Sequence, residues 1–448
     1  FLGQRMKTEF GYKRIWTIAY PILISLVMEQ LIGLTDTAFM GRVGEVELGA
    51  SAIAGVFYMV FFMAGHGFCI GAQILIARRN GEGNLQSIGQ IFYQGLFFLM
   101  ALAAALFVVV QVFADGILSL MISSPHVLEK AEDYLVWRVY GFFFAFAAGM
   151  FRAFFVGTTH TKTLTLNSIV MVLSNVVFNY VLVFGKLGFP ALGIAGAAIG
   201  SSLSELVSLV FFIVYTRQRI NYRAYGLNVV SRVNFRELRR ILHVSLWVMI
   251  QNFLSISTWF IFFVYIEHLG ERELAVTNIV RSLSGFLFMI VIAFASACSS
   301  IVSNMIGAGQ ADDVRKAIRR CILLAYAILV PLVVVLAAWP HPFISIYTDI
   351  PALRDASVAS VWVMCFSYIV LIPSNIFFQS VSGTGKTKAA FLLEIAALVV
   401  YMAYITVTIF EMRVDVAWAW SSETVYGTTM LLLCAGYLRS NRWRNHAI

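Results

Sequence analysis

The sequence predicts an all-α membrane protein of twelve transmembrane helices in two six-helix lobes. Composition, the spacing of apolar runs and an internal repeat carry that prediction. Hydrophobic residues fill 60% of 448 positions and charged residues only 12%, whereas about a quarter of a soluble domain is charged. Mean hydropathy is +0.84. A bilayer-crossing helix needs about 20 mainly apolar residues, so the chain supplies a dozen spans with little left over for soluble domains. Arg5, Lys7, Lys13 and Arg14 lead directly into a long apolar run without a small-residue cleavage site, so no cleavable signal peptide is expected. A first residue of Phe1 rather than Met reads as a trimmed or processed start.

Apolar runs bounded by charges, Gly and Pro place the first six spans at about 15–40, 49–77, 88–113, 131–156, 163–185 and 190–216. Six more follow at about 241–266, 275–306, 317–339, 356–380, 389–410 and 416–438. Some of these runs are longer than a perpendicular crossing needs, so tilt or interfacial continuation is expected. With a cytoplasmic N-terminus, 23 Lys and Arg fall in inside segments and 6 in outside loops. Three more, Arg138, Arg152 and Arg281, lie within spans. The positive-inside rule therefore predicts that both termini are cytoplasmic, in a cell (inner) membrane. The net charge of +9 reflects this topology rather than nucleic-acid binding.

The halves repeat at an offset of 226 residues. Gly44-Glu45-Val46-Glu47-Leu48 answers Gly270-Glu271-Arg272-Glu273-Leu274, and Phe62-Met63 answers Phe288-Met289. Gly81 and Gly83 match Gly307 and Gly309, Pro125 matches Pro351, and Phe184 matches Phe410. The turn Gly157-Thr158-Thr159-His160-Thr161-Lys162 matches Gly383-Thr384-Gly385-Lys386-Thr387-Lys388. Six spans per copy bring both copies in from the same side, as parallel repeats related by a pseudo-twofold along the membrane normal. The predicted organisation is an N-lobe over 1–216, a basic cytoplasmic linker over 217–240, and a C-lobe with a short basic tail over 241–448. Two facing lobes enclose a central path, and rocking them gives alternating access.

Several chemistries lack their residues. No complete Gly-x-x-x-x-Gly-Lys-Ser/Thr phosphate loop is present, since Ser380 stands where the first glycine before Gly385-Lys386-Thr387 would fall, so no ATPase motor is expected. Cys69, Cys298, Cys321, Cys365 and Cys434 all lie in apolar stretches without metal-ligand spacing and read as small buried hydrophobes. A membrane-embedded enzyme needs clustered His, paired Asp or a Ser/Lys dyad within its spans, and none is found. Neither a cofactor nor a structural metal is expected, and the chain reads as a monomer in the lipid bilayer.

The ordered anchors resemble the multidrug and toxic compound extrusion (MATE) transporters over essentially the whole chain. They are Pro21, Thr35-Asp36-Thr37, Gly71-Ala72-Gln73, Gly81-Glu82-Gly83-Asn84, Gly157 with Thr161-Lys162, and Asn175 with Asn179-Tyr180. Gly188-Phe189-Pro190-Ala191-Leu192-Gly193 and the Ile194-Ala195-Gly196-Ala197-Ala198 run complete the set. The resemblance implies a cation-coupled exporter of small organic, often cationic or amphipathic, compounds, driven by H+ or Na+. A lipid-linked oligosaccharide flippase of the same superfamily is the runner-up, but only three intramembrane cations are available for a pyrophosphate. A major-facilitator transporter would carry a Gly-rich loop with an Asp and several basic residues, which Arg78-Arg79-Asn80-Gly81 copies poorly.

A carboxylate at mid-span costs about 2.5–3.5 kcal/mol, so each one needs a partner or a task. Five are placed inside spans: Glu29, Asp36, Glu205, Glu394 and Glu423. Glu29 and Asp36 share one face of the first span, Asn175 and Asn179 one face of the fifth, and Ser201 and Glu205 one face of the sixth. These faces are expected to converge as a cation or proton site in the N-lobe. Depth alone leaves this level with the alternative that Asp36 reaches headgroups and the asparagines are interhelical glue. The resemblance assigns Asp36 as the titrating acid. Where members coupled through the N-lobe often carry a second aspartate, this chain has Asn179, which favours H+ over Na+, with Na+ at Asp36, Asn175 and Asn179 as the alternative. The seventh span has no acid between Gln251 and Tyr265, and the repeat partners of Asp36 and Glu29 are Phe262 and Ser255. Coupling is therefore expected in the N-lobe, with Pro21 as the hinge about which the first span repacks. Arg138 is a candidate counter-ion for Asp36. Arg152 and Glu394 are expected to snorkel toward the inner surface, Arg281 lies near an outer end, and Glu423 is left out of the cavity-facing set.

Overall fold

In the computed structural model, residues 10–448 are described. Phe1, Arg5 and Lys7, used above for the start of the chain and its orientation, lie outside them. No β-strand occurs among the described residues. The first half forms α1 (Tyr12–Val43), α2 (Glu45–Glu82), α3 (Leu85–Met121), α4 (Pro125–Arg138), α5 (Gly141–Gly157), α6 (Lys162–Phe184) and α7 (Ile194–Arg219). The second half forms α8 (Phe235–Leu269), α9 (Glu271–Gly307), α10 (Val314–Ala338), the short α11 (Pro340–Ile344), α12 (Pro351–Gly383), α13 (Thr387–Ile405), the short α14 (Val416–Ala419) and α15 (Ser422–Arg439). Among the described residues, ten helices are long and apolar enough to cross a membrane, or eleven with α4 and α5 taken as one span broken by 50°. The remaining expected span corresponds to α14 and α15, where Glu423 and a run of Ser and Thr dilute the apolar character.

Two compact units are present. One holds Ile24–Asn80 and Asn84–Met249, and the other holds the start of α1 up to Leu23, the turn at Gly81–Gly83, and Ile250–Ile448. Within the first unit α7 is the hub against which α4, α5 and α6 pack. Within the second, α12 takes that place, contacting α9, α10, α13 and α15.

Small residues set the closest helix approaches, as expected where lipid supplies no hydrophobic drive between helices. Gly67 and Gly71, one turn apart on α2, face Met249 and Ser245 on α8; a Cβ there would lie 2.9 Å from Met249 Cα and 2.5 Å from Ser245 Cα. α6 ends at Gly185, whose φ of +71° is the left-handed conformation that closes helices without a Cβ penalty. All five cysteines are buried, with no disulfide among the described residues.

Candidate functional site

The polar core of the first unit is built where α1, α6 and α7 meet. Asn175 and Asn179 sit one turn apart on α6 and are both buried. Asn179 donates its amide to Asp36 Oδ1 and, at 3.3 Å, to Asn175 Oδ1. Ser201, on α7, donates to Asp36 Oδ2 at 3.4 Å. Asn175 in turn donates toward the hydroxyls of Ser201 and Ser204, both at 3.5 Å. The groups addressed to Asp36 are thus donors, while the buried Asn179 Oδ1 finds no partner.

Beside this cluster lies a charged pair that the sequence did not join. Arg138 closes α4 at the break before α5 and makes a two-pronged bond to Glu205 of α7, at 2.9 and 2.8 Å. Their side chains are only 12% and 9% exposed. The guanidinium stacks 4.0 Å over the Tyr58 ring, and Tyr58 stacks on Phe142 at 4.7 Å. Gly141 leaves the room required, since a Cβ there would fall on both Glu205 Oε2 and Arg138 Nη1. The Ser202 hydroxyl reaches the carbonyls of Trp137 and Arg138 at 3.2 and 3.4 Å, serving acceptors that a broken helix leaves open within a span.

Four expectations are corrected here. Arg138 bonds Glu205 and not Asp36, which it reaches only through its field. Ser201 and Glu205, one turn apart, serve different partners: the hydroxyl goes to Asp36 and the carboxylate to Arg138. Glu29 stands outside the cluster, because Arg152 takes its carboxylate at 3.1 Å and also bonds Ser25. Arg152 therefore pairs within the unit rather than snorkelling.

Among its described residues the second unit carries no counterpart of the Asp36 cluster. Phe262, at the repeat position of Asp36, is fully buried and stacks on Trp259 at 5.2 Å. Glu394 is 1% exposed and accepts the Tyr426 hydroxyl at 2.7 Å, which corrects the expectation that it snorkels. Glu423 lines a cavity of about 350 Å³ together with Tyr368, Asn375, Tyr401 and Arg281, so it belongs to the cavity-facing set after all. Pairing the few intramembrane charges by depth was the signal available for Arg138 with Glu205; nothing in the sequence marked Tyr426 as the partner of Glu394.

Long apolar helices that keep paired and hydrogen-bonded charges within their spans define a multi-pass helical membrane protein. Residues 21–181 and 235–407 match the MatE family. A probable multidrug resistance protein NorM of Synechocystis is 27% identical over 81% of this chain and 79% of its own length. The NorM of Thermotoga maritima is 22% identical over 97% and 94%. Among solved structures, the Vibrio cholerae MATE transporter VcmN in its bent form superposes with a TM-score of 0.84 at 17% identity, over 96% of this chain and 98% of that one. The eukaryotic MATE transporter AtDTX14 gives 0.82 at 18% identity, covering 96% of each. The chain belongs to the MatE family, whose members are transporters, and its fold is that of the two-lobed MATE structures.

Proposed function

We propose that the chain is a secondary active antiporter that exports amphipathic or cationic organic compounds in exchange for H+, with Asp36 taking and releasing the coupling proton. The observation that carries this reading is a mismatch of charge. Arg138 and Glu205 form an ion pair, and Arg152 answers Glu29, while Asp36 is hydrogen-bonded only by neutral donors and meets Arg138 only through its field. A carboxylate without an ion-pair partner within a span costs about 2.5–3.5 kcal/mol, offset in part by those hydrogen bonds and that field. A proton on Asp36 removes the charge and changes what Asn179 and Ser201 can donate to. That supports an acid whose two states favour different packings of α1.

The donor set supports H+ over Na+. A dehydrated Na+ wants several oxygens and compensating negative charge, as other hard cations do, whereas Asp36 is met by an N–H, an O–H and the field of Arg138. One proton crossing about 100 mV supplies about 2.3 kcal/mol, enough for roughly a fifty-fold gradient at 1:1 exchange. Pro21 withholds a backbone hydrogen bond from α1, two residues before that helix passes from one compact unit to the other after Leu23. It serves as the hinge in this reading.

The names of the NorM relatives support a range of organic substrates. The excess of inside cations supports cytoplasmic termini in an inner membrane. We take the working unit to be a monomer with lobes over 1–216 and 241–448 joined by the 217–240 linker. The test is dye efflux from vesicles under proton and sodium gradients imposed separately. Efflux follows the proton gradient in this reading; efflux driven equally by sodium at uniform pH sinks it.

A further inference from the structure

The segment between α7 and α8 is more than a tether, for it is stitched along α3. Gln86 donates its amide to the carbonyls of Arg223 and Ala224, both at 3.1 Å, and Tyr93 donates to Leu227 O. Gln94 donates to Arg232 O at 2.7 Å and accepts the Asn234 N–H at 2.9 Å. Backbone meets backbone where Gly89 faces Gly226: a Cβ on Gly89 would lie 2.6 Å from the Gly226 carbonyl carbon. Tyr225 packs edge-on against Phe154 at 5.0 Å. Ordering a chain segment costs about 1–2 kcal/mol per residue in backbone entropy, and a tether has no use for a fixed shape.

What the fixed shape presents is a basic cleft of about 440 Å³ at the ends of α3, α5 and α7. Phe92, Phe151 and Ile213 form apolar walls, Arg217 and Arg223 stand exposed at it, and no acid lines it. Neither arginine makes a salt bridge with a described residue. Next along the strap, Val229, Val230, Val233 and Phe235 are 65%, 63%, 53% and 78% exposed, interleaved with Arg232 and Arg236. Exposed aliphatic and aromatic side chains set among arginines at the end of membrane spans have the composition of an interfacial segment that attracts anionic lipid.

We propose that this cleft binds the phosphate of an anionic phospholipid in the adjoining leaflet. The guanidiniums of Arg217 and Arg223 contact the phosphate oxygens, an acyl chain follows the apolar wall, and the exposed valines with Phe235 lie in the interfacial layer. The inference needs only the linker at a membrane surface and is independent of the coupling role of Asp36.

The test is native mass spectrometry of the delipidated full chain titrated with dioleoyl-phosphatidylglycerol or dioleoyl-phosphatidylcholine. The wild type retains the anionic lipid preferentially. R217Q/R223Q weakens that binding about thirty-fold, at about five-fold per cation near a membrane surface, while R217K/R223K keeps most of it. K316Q/R319Q, which removes two exposed cations elsewhere at equal net charge, leaves it unchanged. Equal retention of the two lipids, or undiminished binding in R217Q/R223Q, overturns the proposal. So does displacement of the lipid by millimolar glycerol 3-phosphate, which reassigns the cleft to a soluble phosphate.

Discussion

Replacing Glu205 by Gln strands the Arg138 guanidinium. In the wild type both Arg138–Glu205 contacts are under 3 Å and both side chains are almost wholly enclosed. Removing one partner of such a pair costs about 3–5 kcal/mol, because the surviving charge stays buried. Tyr58 and its ring contact cannot replace a carboxylate. The five cysteines are all buried, so a thiol-reactive dye reports unfolding as the temperature rises. We expect the midpoint of E205Q to fall on the order of 10 °C, taking about 2–4 °C per kcal/mol for a unit of this size. The double variant R138M/E205M should recover most of that loss, since an apolar pair of similar volume is often neutral in place of a buried ion pair. A single variant as stable as wild type, or a double variant no better than E205Q, refutes the assignment of a buried, mutually compensating pair.

Other perturbations separate packing from coupling. Gly71→Ala drives a methyl into Ser245 on α8 and should lower stability by about 1–3 kcal/mol, whereas Gly49→Ala, with nothing within 4 Å, should not; thermal midpoints compare the two. Glu29→Gln should leave ion-driven efflux within a few-fold of wild type, because its partner is Arg152 and not the Asp36 cluster; loss of coupling in vesicle efflux would return Glu29 to the site. Tyr426→Phe removes the hydroxyl that Glu394 accepts and should cost about 1–3 kcal/mol, read as a lower midpoint with no change in ion dependence. An unchanged midpoint would mean that Glu394 needs no such donor.

The spans were legible because burial in lipid leaves only a long apolar helix as an answer, and the offset repeat fixed their number. The convergence of Asp36 with Asn179 was legible in part, since a spacing of four residues on one helix fixes a shared face. What helical spacing leaves open is the azimuth of one helix about its axis relative to the next. Ser201 and Glu205 lie one turn apart, yet they address Asp36 on α1 and Arg138 on α4. Depth placed Arg138 level with Asp36, which its field does reach, but depth left open that its direct bonds go to Glu205 of α7. Glu394 looked like a helix-end residue by position alone; the hydroxyl it accepts comes from Tyr426, which is 32 residues away in sequence.

The most direct test of the coupling claim is proton movement itself. In proteoliposomes enclosing a pH-sensitive dye, adding substrate should drive proton counterflow through the wild type. Asp36→Asn should still bind substrate, because the amide keeps the shape of the cluster, and should move no protons. Substrate-stimulated proton flux of undiminished size through Asp36→Asn would contradict the account.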